Sequence, residues 1–183
     1  MYDKASLFLG STKPLTFSKM NALGFDWFNK NGKYDSYILK KKPIYKTDEE
    51  VELIRKSCLL VCKALAHVAS VIKPGVKGAK IDREAEELIR DNGAVPGFKG
   101  LYGFPATLCI SINEGVVHGV PSADYEFRDG DIVSVDCGTY MNGFYGDAAY
   151  TFAIGAVKEE TMELLRVTKT ALYKGIDQAV VGK

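Results

Sequence analysis

The sequence predicts an α+β chain in which helices cover an antiparallel sheet. Three observations carry this. Asn142-Gly143 stands between two long alternating runs, and a type I′ hairpin turn needs positive φ at both of its central residues. Val51, Ile54, Cys58, Val61, Leu65, Val68 and Ile72 recur at three- and four-residue spacing, the apolar stripe of an amphipathic helix. Thr107 to Asn113 alternates Leu108, Ile110 and Ile112 with Cys109 and Ser111, the pattern of a strand.

The 183 residues suffice for one domain with a sizeable core, or one domain plus an extension, and 46% hydrophobic with 26% charged residues is ordinary for a globular protein. A net charge of +1 argues against DNA or a membrane surface as the partner of the whole chain. The charge is uneven. Residues 1–46 hold nine Lys and three Asp, a net of +6, while residues 47–183 have a net of −5. Residues 1–43 therefore read as a Lys-rich arm of unassigned structure, and residues 44–183 as the folded unit. No apolar run is long enough to span a bilayer, and no signal-peptide pattern opens the chain. The four cysteines, Cys58, Cys62, Cys109 and Cys137, form no CxxC pair and read as reduced thiols of a cytoplasmic protein.

The elements follow in order. Thr47 and Glu50 form a capping-box pattern at the start of the first helix, which Lys73-Pro74-Gly75 ends. His67 lies beside its stripe and reads as a surface residue. Cys58 and Cys62 are one turn apart and share a metal with His67 only if Cys58 leaves the apolar stripe, where free cysteine is usually a small buried hydrophobe. Lys80 to Asn92 is a second helix, with Ile81, Ala85, Leu88 and Ile89 inward and Gly93 as its C-cap. A loop with four glycines, 93 to 103, precedes the 107–113 strand. A second loop, 114–121, carries His118. Asp129-Gly130 turns into the hairpin. Glu159 to Lys174 is a third helix, with Met162, Leu165 and Leu172 on its core side, and 176–181 is too short to classify.

The hairpin carries the chemistry. With Asn142-Gly143 as its turn, Gly138 faces Asp147 and Asp136 faces Ala149. Side chains alternate with period two, so Asp136 and Asp147 become diagonal neighbours on one face. Val133, Val135, Cys137, Met141, Phe144, Ala148, Tyr150 and Phe152 take the other face, the core side. Two strand aspartates more often just point to water or pair with lysine. Here Asp is depleted from strands in general, and Gly138, Gly146 and Ala149 leave room for a ligand beside the acids. Two like charges this close call for a cation, and a hard divalent ion takes carboxylate oxygens. No phosphate-binding glycine loop, serine elbow or Cys-His nucleophile pattern is present.

Three segments stand together: NEGVVHGVP from Asn113, GDIVSVD from Gly130 and NGFYGD from Asn142. This set resembles the type I methionine aminopeptidases, of the pita-bread metallopeptidase fold, over residues 44 to the end, N-terminal half only. The segment PGFKGLYGFPATLCISIN resembles that family's pocket region. The resemblance implies half of a pita-bread fold, an antiparallel sheet with covering helices. It implies Asp136 as the bidentate ligand of one metal and Asp147 as a bridge between two. It implies that His118 contacts the scissile amide, catalytic without being a ligand. Cys109 would line the pocket for the methionine side chain, with Phe104 and Leu101 at other pocket positions. The implied reaction is removal of the N-terminal methionine of nascent chains by a water activated by two divalent ions (Co, Mn, Fe or Zn), in a complete enzyme that is monomeric.

The departure from the family is an absence. Its further metal-ligand His, two ligand Glu and second substrate-contacting His have no match here. The chain has two histidines, and Glu159, Glu160 and Glu163 fall on an amphipathic helix where solvation is the plain reading. The chain as given is expected to be inactive or nearly so alone. Three alternatives stand beside this: a prolidase-like peptidase of the same fold, a non-catalytic pita-bread binding module, and a Lys-rich arm that binds ribosomal RNA. The short spacing from His118 to Asp136 and the LCISIN strand favour the methionine-specific type over the prolidase.

Overall fold

The computed structural model describes residues 45–182; the predicted arm, residues 1–43, lies outside them. Three helices and four strands follow in order: α1 (Asp48–Val71), α2 (Gly78–Asp91), β1 (Val95–Pro96), β2 (Leu108–Ile112), β3 (Ile132–Met141), β4 (Phe144–Ala153) and α3 (Glu159–Asp177). All pairings are antiparallel. β3 is central, with β1 and β2 end to end along one side and β4 along the other.

The β3–β4 register is the one the sequence predicts. Asp136 pairs with Ala149, Gly138 with Asp147, Tyr140 with Tyr145 and Met141 with Phe144. Asn142 and Gly143 have φ of 53° and 86°, the two left-handed residues that a type I′ turn requires. The capping box at α1 is also present: Glu50 N–H donates to Thr47 Oγ1 at 3.2 Å, and Thr47 N–H donates to Glu50 Oε2 at 3.0 Å. α2 buries Ile81, Ala85 and Ile89, and Gly93 follows it with φ 74°.

α1 keeps most of the predicted stripe inward, with Val61 and Val68 buried and Ile54, Leu65 and Ile72 half-buried, but its inward face is rotated toward Ser57. Ser57, Leu60, Val61, Ala64 and Val68 are buried, whereas Val51, Cys58 and Cys62 are exposed. The cause is a close contact with the hairpin. A Cβ on Gly146 would stand 2.6 Å from the Ser57 carbonyl carbon, so helix and strand touch backbone to backbone. Only a small residue fits on the helix there, and Ser57 takes the place assigned to Cys58. Thr139 Oγ1 donates to the Ser57 carbonyl at 3.0 Å, and Ser57 Oγ lies 2.8 Å from Thr139 Oγ1 and 3.2 Å from the Thr139 carbonyl. Both side chains are buried and satisfied, as buried hydroxyls must be.

The core lies between these helices and the sheet, around Val61, Val68, Ile81, Ile89, Leu108, Val133, Val135, Phe127 and Ile154. Asp131 locks the entry to β3. It accepts from Asn113 Nδ2 (2.9 Å), the Tyr125 hydroxyl (2.8 Å) and the Arg128 N–H (2.8 Å).

Three expectations are corrected. Ala148 and Tyr150, assigned to the core face, are exposed, because β4 is an edge strand and among the described residues only β3 pairs with it. α3 buries no residue; Leu172 is exposed, and Met162 and Leu165 are half-buried, so its predicted core side has little to pack on among the described residues. The glycine-rich stretch is not all loop: Val95–Pro96 pairs with β3, and Leu101–Gly103 forms a short 3-10 turn. No helix among the described residues is long and apolar enough to cross a membrane.

Candidate metal centre

β3 and β4 present one polar row on the face away from the core. Ser134 and Thr151 sit at one end, their hydroxyls 2.8 Å apart. Asp136 opposite Ala149 comes next, then Gly138 opposite Asp147. Tyr140 and Tyr145 close the row, ring centroids 4.7 Å apart.

Asp136 is half-buried and Asp147 exposed. Burial, the negative charge of Asp147 and a hydrogen bond between the two carboxyls push Asp136 up to about 6, while His118 pulls the other way. Ordinary aspartate titrates near 4. Asp136 therefore holds its proton longer than a solvated carboxylate does, as burial beside a like charge dictates. A divalent cation relieves the same repulsion, and hard oxygen donors suit it. Among the described residues no group of three or more His, Cys, Asp and Glu side chains gathers as a metal site. The donor set thus fits a metal as two carboxylate ligands of a larger shell.

His118 sits on the 114–121 loop, near enough to Asp136 for its charge to act on that carboxyl, and the loop is stitched to β2. Ile110 N–H donates to the Gly119 carbonyl at 2.8 Å, and Gly119 N–H donates to Ser111 Oγ at 3.1 Å. The approach is so close that a Cβ on Gly119 would fall 2.1 Å from the Ile110 carbonyl oxygen. His118 itself is exposed and has φ 58°, a left-handed conformation that a non-glycine residue adopts only when its surroundings impose it.

Cys109 stands opposite Asp136 in the β2–β3 register. With Phe104 and Ala106 it forms a second, small buried cluster, against which Phe98 packs. Burial, with the charges of Asp136, Asp147 and Asp82, pushes the Cys109 thiol up to about 11, so it stays a protonated apolar group at neutral pH. Leu101, grouped with Phe104 and Cys109 from the sequence, is exposed in the 3-10 turn and lies outside that cluster.

Phe98 is the residue that sequence reasoning missed. A Cβ on Gly138 would lie 2.5 Å from Phe98 Cε1, so the Phe98 ring rests on the strand beside Asp147's partner. The sequence suggests Gly138 as space for a ligand, but an aromatic ring of the chain occupies it. Gly146 is on the other face, where it admits α1. A glycine inside a strand does signal a close approach, and that was the available clue to Phe98. Elsewhere, His67 Nε2 lies 3.2 Å from Glu84 Oε2, tying α1 to α2, while Cys58 and Cys62 are exposed.

Residues 52–183 match metallopeptidase family M24. The methionine aminopeptidase of Clostridium perfringens is 48% identical over 138 residues, covering 75% of this chain and 55% of that protein. The crystal structure of methionine aminopeptidase from Thermotoga maritima superposes with a TM-score of 0.73 at 39% identity, over 75% of this chain and 55% of the other. The prolidase from Pyrococcus furiosus superposes with a TM-score of 0.59 at 26% identity, over 81% of this chain and 42% of that one. The chain spans about half the length of the curated relatives it matches.

Proposed function

The chain belongs to metallopeptidase family M24 and has the α+β architecture of one half of a pita-bread fold, and from that premise we propose that it carries the carboxylate pair and side-chain pocket of a methionine aminopeptidase. The reaction is hydrolytic release of Met from a peptide N-terminus. One observation carries the reading: an aspartate pair shares a sheet face with a small apolar cluster that includes the Cys109 thiol. The acids supply ligand oxygens. The cluster supplies a slot for an unbranched apolar side chain.

In this proposal Asp136 and Asp147 hold two divalent ions, drawn from Co, Mn, Fe or Zn. When bound, the ions supply an activated water and polarise the scissile carbonyl. The chain's own groups do the rest. Cys109, Phe104 and Phe98 take the methionine side chain and keep water from it. His118, held rigid by the Gly119 contact, donates to the scissile amide and to the oxygen that becomes negative in the tetrahedral state. The low exposure of Cys109 and Phe104 keeps that charge in a poorly screened place.

The proposal extends to the isolated chain. Two carboxylates bind a divalent ion weakly, with Kd on the order of 10⁻⁴ to 10⁻³ M, because ligand charge count sets affinity. The 183 residues alone are therefore inactive or nearly so. Calorimetric titration of Mn²⁺ into the chain tests the ligand assignment: Asp136→Asn and Asp147→Asn each abolish the heat, and retention of binding in both variants refutes it. Met-Ala-Ser and Ala-Pro are assayed in parallel. Release of Met at an intact enzyme's rate overturns the inactivity expectation, and cleavage of Ala-Pro alone transfers the reading to prolidase.

A further inference from the structure

The apolar cluster beside the aspartates is built on a loop, and α2 holds that loop at both stems. From Gly97 to Thr107 the chain leaves β1 and returns to β2. Its interior closes on itself: Gly100 N–H donates to the Phe104 carbonyl at 2.8 Å, and Leu101 N–H to the Phe98 carbonyl at 3.0 Å. The stems converge on Glu86. Lys99 Nζ donates to Glu86 Oε2 at 2.6 Å, and Thr107 Oγ1 donates to the same oxygen at 3.2 Å. One turn earlier on the helix, Asp82 Oδ1 accepts from Thr107 N–H at 2.9 Å and from Leu108 N–H at 2.7 Å. α2 is a firm base for this, since Ile81, Ala85 and Ile89 anchor its other face in the core.

We propose that Asp82 and Glu86 are the positioning residues of the side-chain pocket, fixing Phe98, Phe104 and Cys109 by clamping the two stems of the 97–107 loop to α2. The proposal rests on the pocket reading above and deepens it: pocket shape is set from a helix that never touches the substrate. Neither acid is a metal ligand, and neither sits on the aspartate face.

The two acids act differently. Burial raises the proton affinity of the Asp82 carboxyl against the pull of the two backbone N–H groups, so its role is that of an oxygen acceptor more than of a charge. The Lys99 hydrogen bond lowers that of Glu86, with Arg90 helping against the opposing effect of burial, so there the charge itself matters. An amide therefore substitutes well at 82 and poorly at 86.

The cysteines supply the test. In the 183-residue chain carrying Cys58→Ser and Cys62→Ser, maleimide labelling at one fixed pH is followed by mass spectrometry at each remaining thiol. Cys109 reports loop opening, and fully buried Cys137 reports global opening. Asp82→Ala and Glu86→Ala raise Cys109 labelling roughly tenfold or more, the local opening expected when charge-assisted bonds are lost, with Cys137 unchanged. Asp82→Asn stays near the parent rate and Glu86→Gln falls between. Lys99→Met cuts one stem tie from an exposed position and opens Cys109 by a smaller factor, which keeps the test decisive if an acid variant folds poorly. Parent-rate labelling of Cys109 in the alanine variants and Lys99→Met overturns the proposal. So does a parallel rise at Cys109 and Cys137, which makes the acids general fold supports. A second arm adds millimolar L-methioninamide. Protection of Cys109 in the parent but not in Glu86→Ala supports the clamp as what shapes the pocket. Selective opening without protection in the parent leaves the clamp standing and refutes the pocket reading alone.

Discussion

Ser57 of α1 and Thr139 of β3 are joined by reciprocal side-chain hydrogen bonds at the one place where helix and hairpin touch through Gly146. Thr139 pairs with Gly146, whose neighbour in the chain is Asp147, so this junction sets the position of one of the two carboxylates proposed as ligands. Thr139→Val keeps the shape and removes the hydroxyl, and costs about 1–2 kcal/mol. Gly146→Ala costs more, roughly 2–4 kcal/mol, because the new methyl has no room and the helix must move. Urea midpoints at unchanged m-value measure both. Equal costs for the two substitutions would show that the contact is looser than the distances say.

Asp136 is placed against the interest of the fold. Its folded pKa, about 6, lies above the unfolded value near 4, so the folded state prefers the protonated form. The penalty is absent below the unfolded pKa, grows as pH rises through the interval, and is constant above about 6. Asp136→Asn therefore stabilises the chain in EDTA at pH 7.5, by about 1–2 kcal/mol after allowance for solvent screening, and has no effect near pH 3.5. Thermal melts at both pH values check this. A destabilised variant at pH 7.5 would mean that the pair is already satisfied without a cation.

Asp131 has the opposite sign. Burial alone would raise it, but the bonds from Asn113, the Arg128 backbone and Tyr125 outweigh burial and hold its carboxyl below the usual aspartate range. Its stabilising contribution is complete above the unfolded pKa near 4 and is lost as pH falls through the lower folded value. Asp131→Ala costs roughly 2–4 kcal/mol at pH 7, since three donors lose their acceptor, and less at pH 2.5. A cost independent of pH across that range would refute the account.

Gly119 is the support for His118. Gly119→Ala puts a methyl on the Ile110 carbonyl and must push the 114–121 loop off β2. The Ile110 amide then loses its 2.8 Å partner, and native-state hydrogen exchange at that amide accelerates by roughly a hundredfold while Val135 stays protected. An unchanged Ile110 amide would mean that the loop is held by other contacts.

Much of the site was legible because short-range rules decide it. A two-residue turn of Asn-Gly leaves the hairpin one register, and register alone brings Asp136 and Asp147 to one face. The capping box places the start of α1 in the same way. What was not legible depends on tertiary contact. Periodicity puts Cys58 and Ser57 on adjacent positions and cannot say which faces a glycine 89 residues later; the Gly146 contact decides for Ser57. Gly138 signals that something approaches the strand closely, but sequence alone does not say that the approaching group is the Phe98 ring. The predicted core side of α3 is not one among the described residues, because an apolar stripe reports only that something should cover it.

The Tyr140–Tyr145 pair has an optical consequence. The two phenol rings stand on the aspartate face, one step along the row from Asp147. A terbium ion takes the same hard oxygen ligands as a divalent cation. Bound at the carboxylates, it would sit next to two tyrosines able to pass on absorbed ultraviolet light. The hairpin is in that sense its own antenna. Green emission on tyrosine excitation, lost in Asp147→Asn and dimmed in Tyr145→Leu, would let occupancy of the site be read by eye in a cuvette.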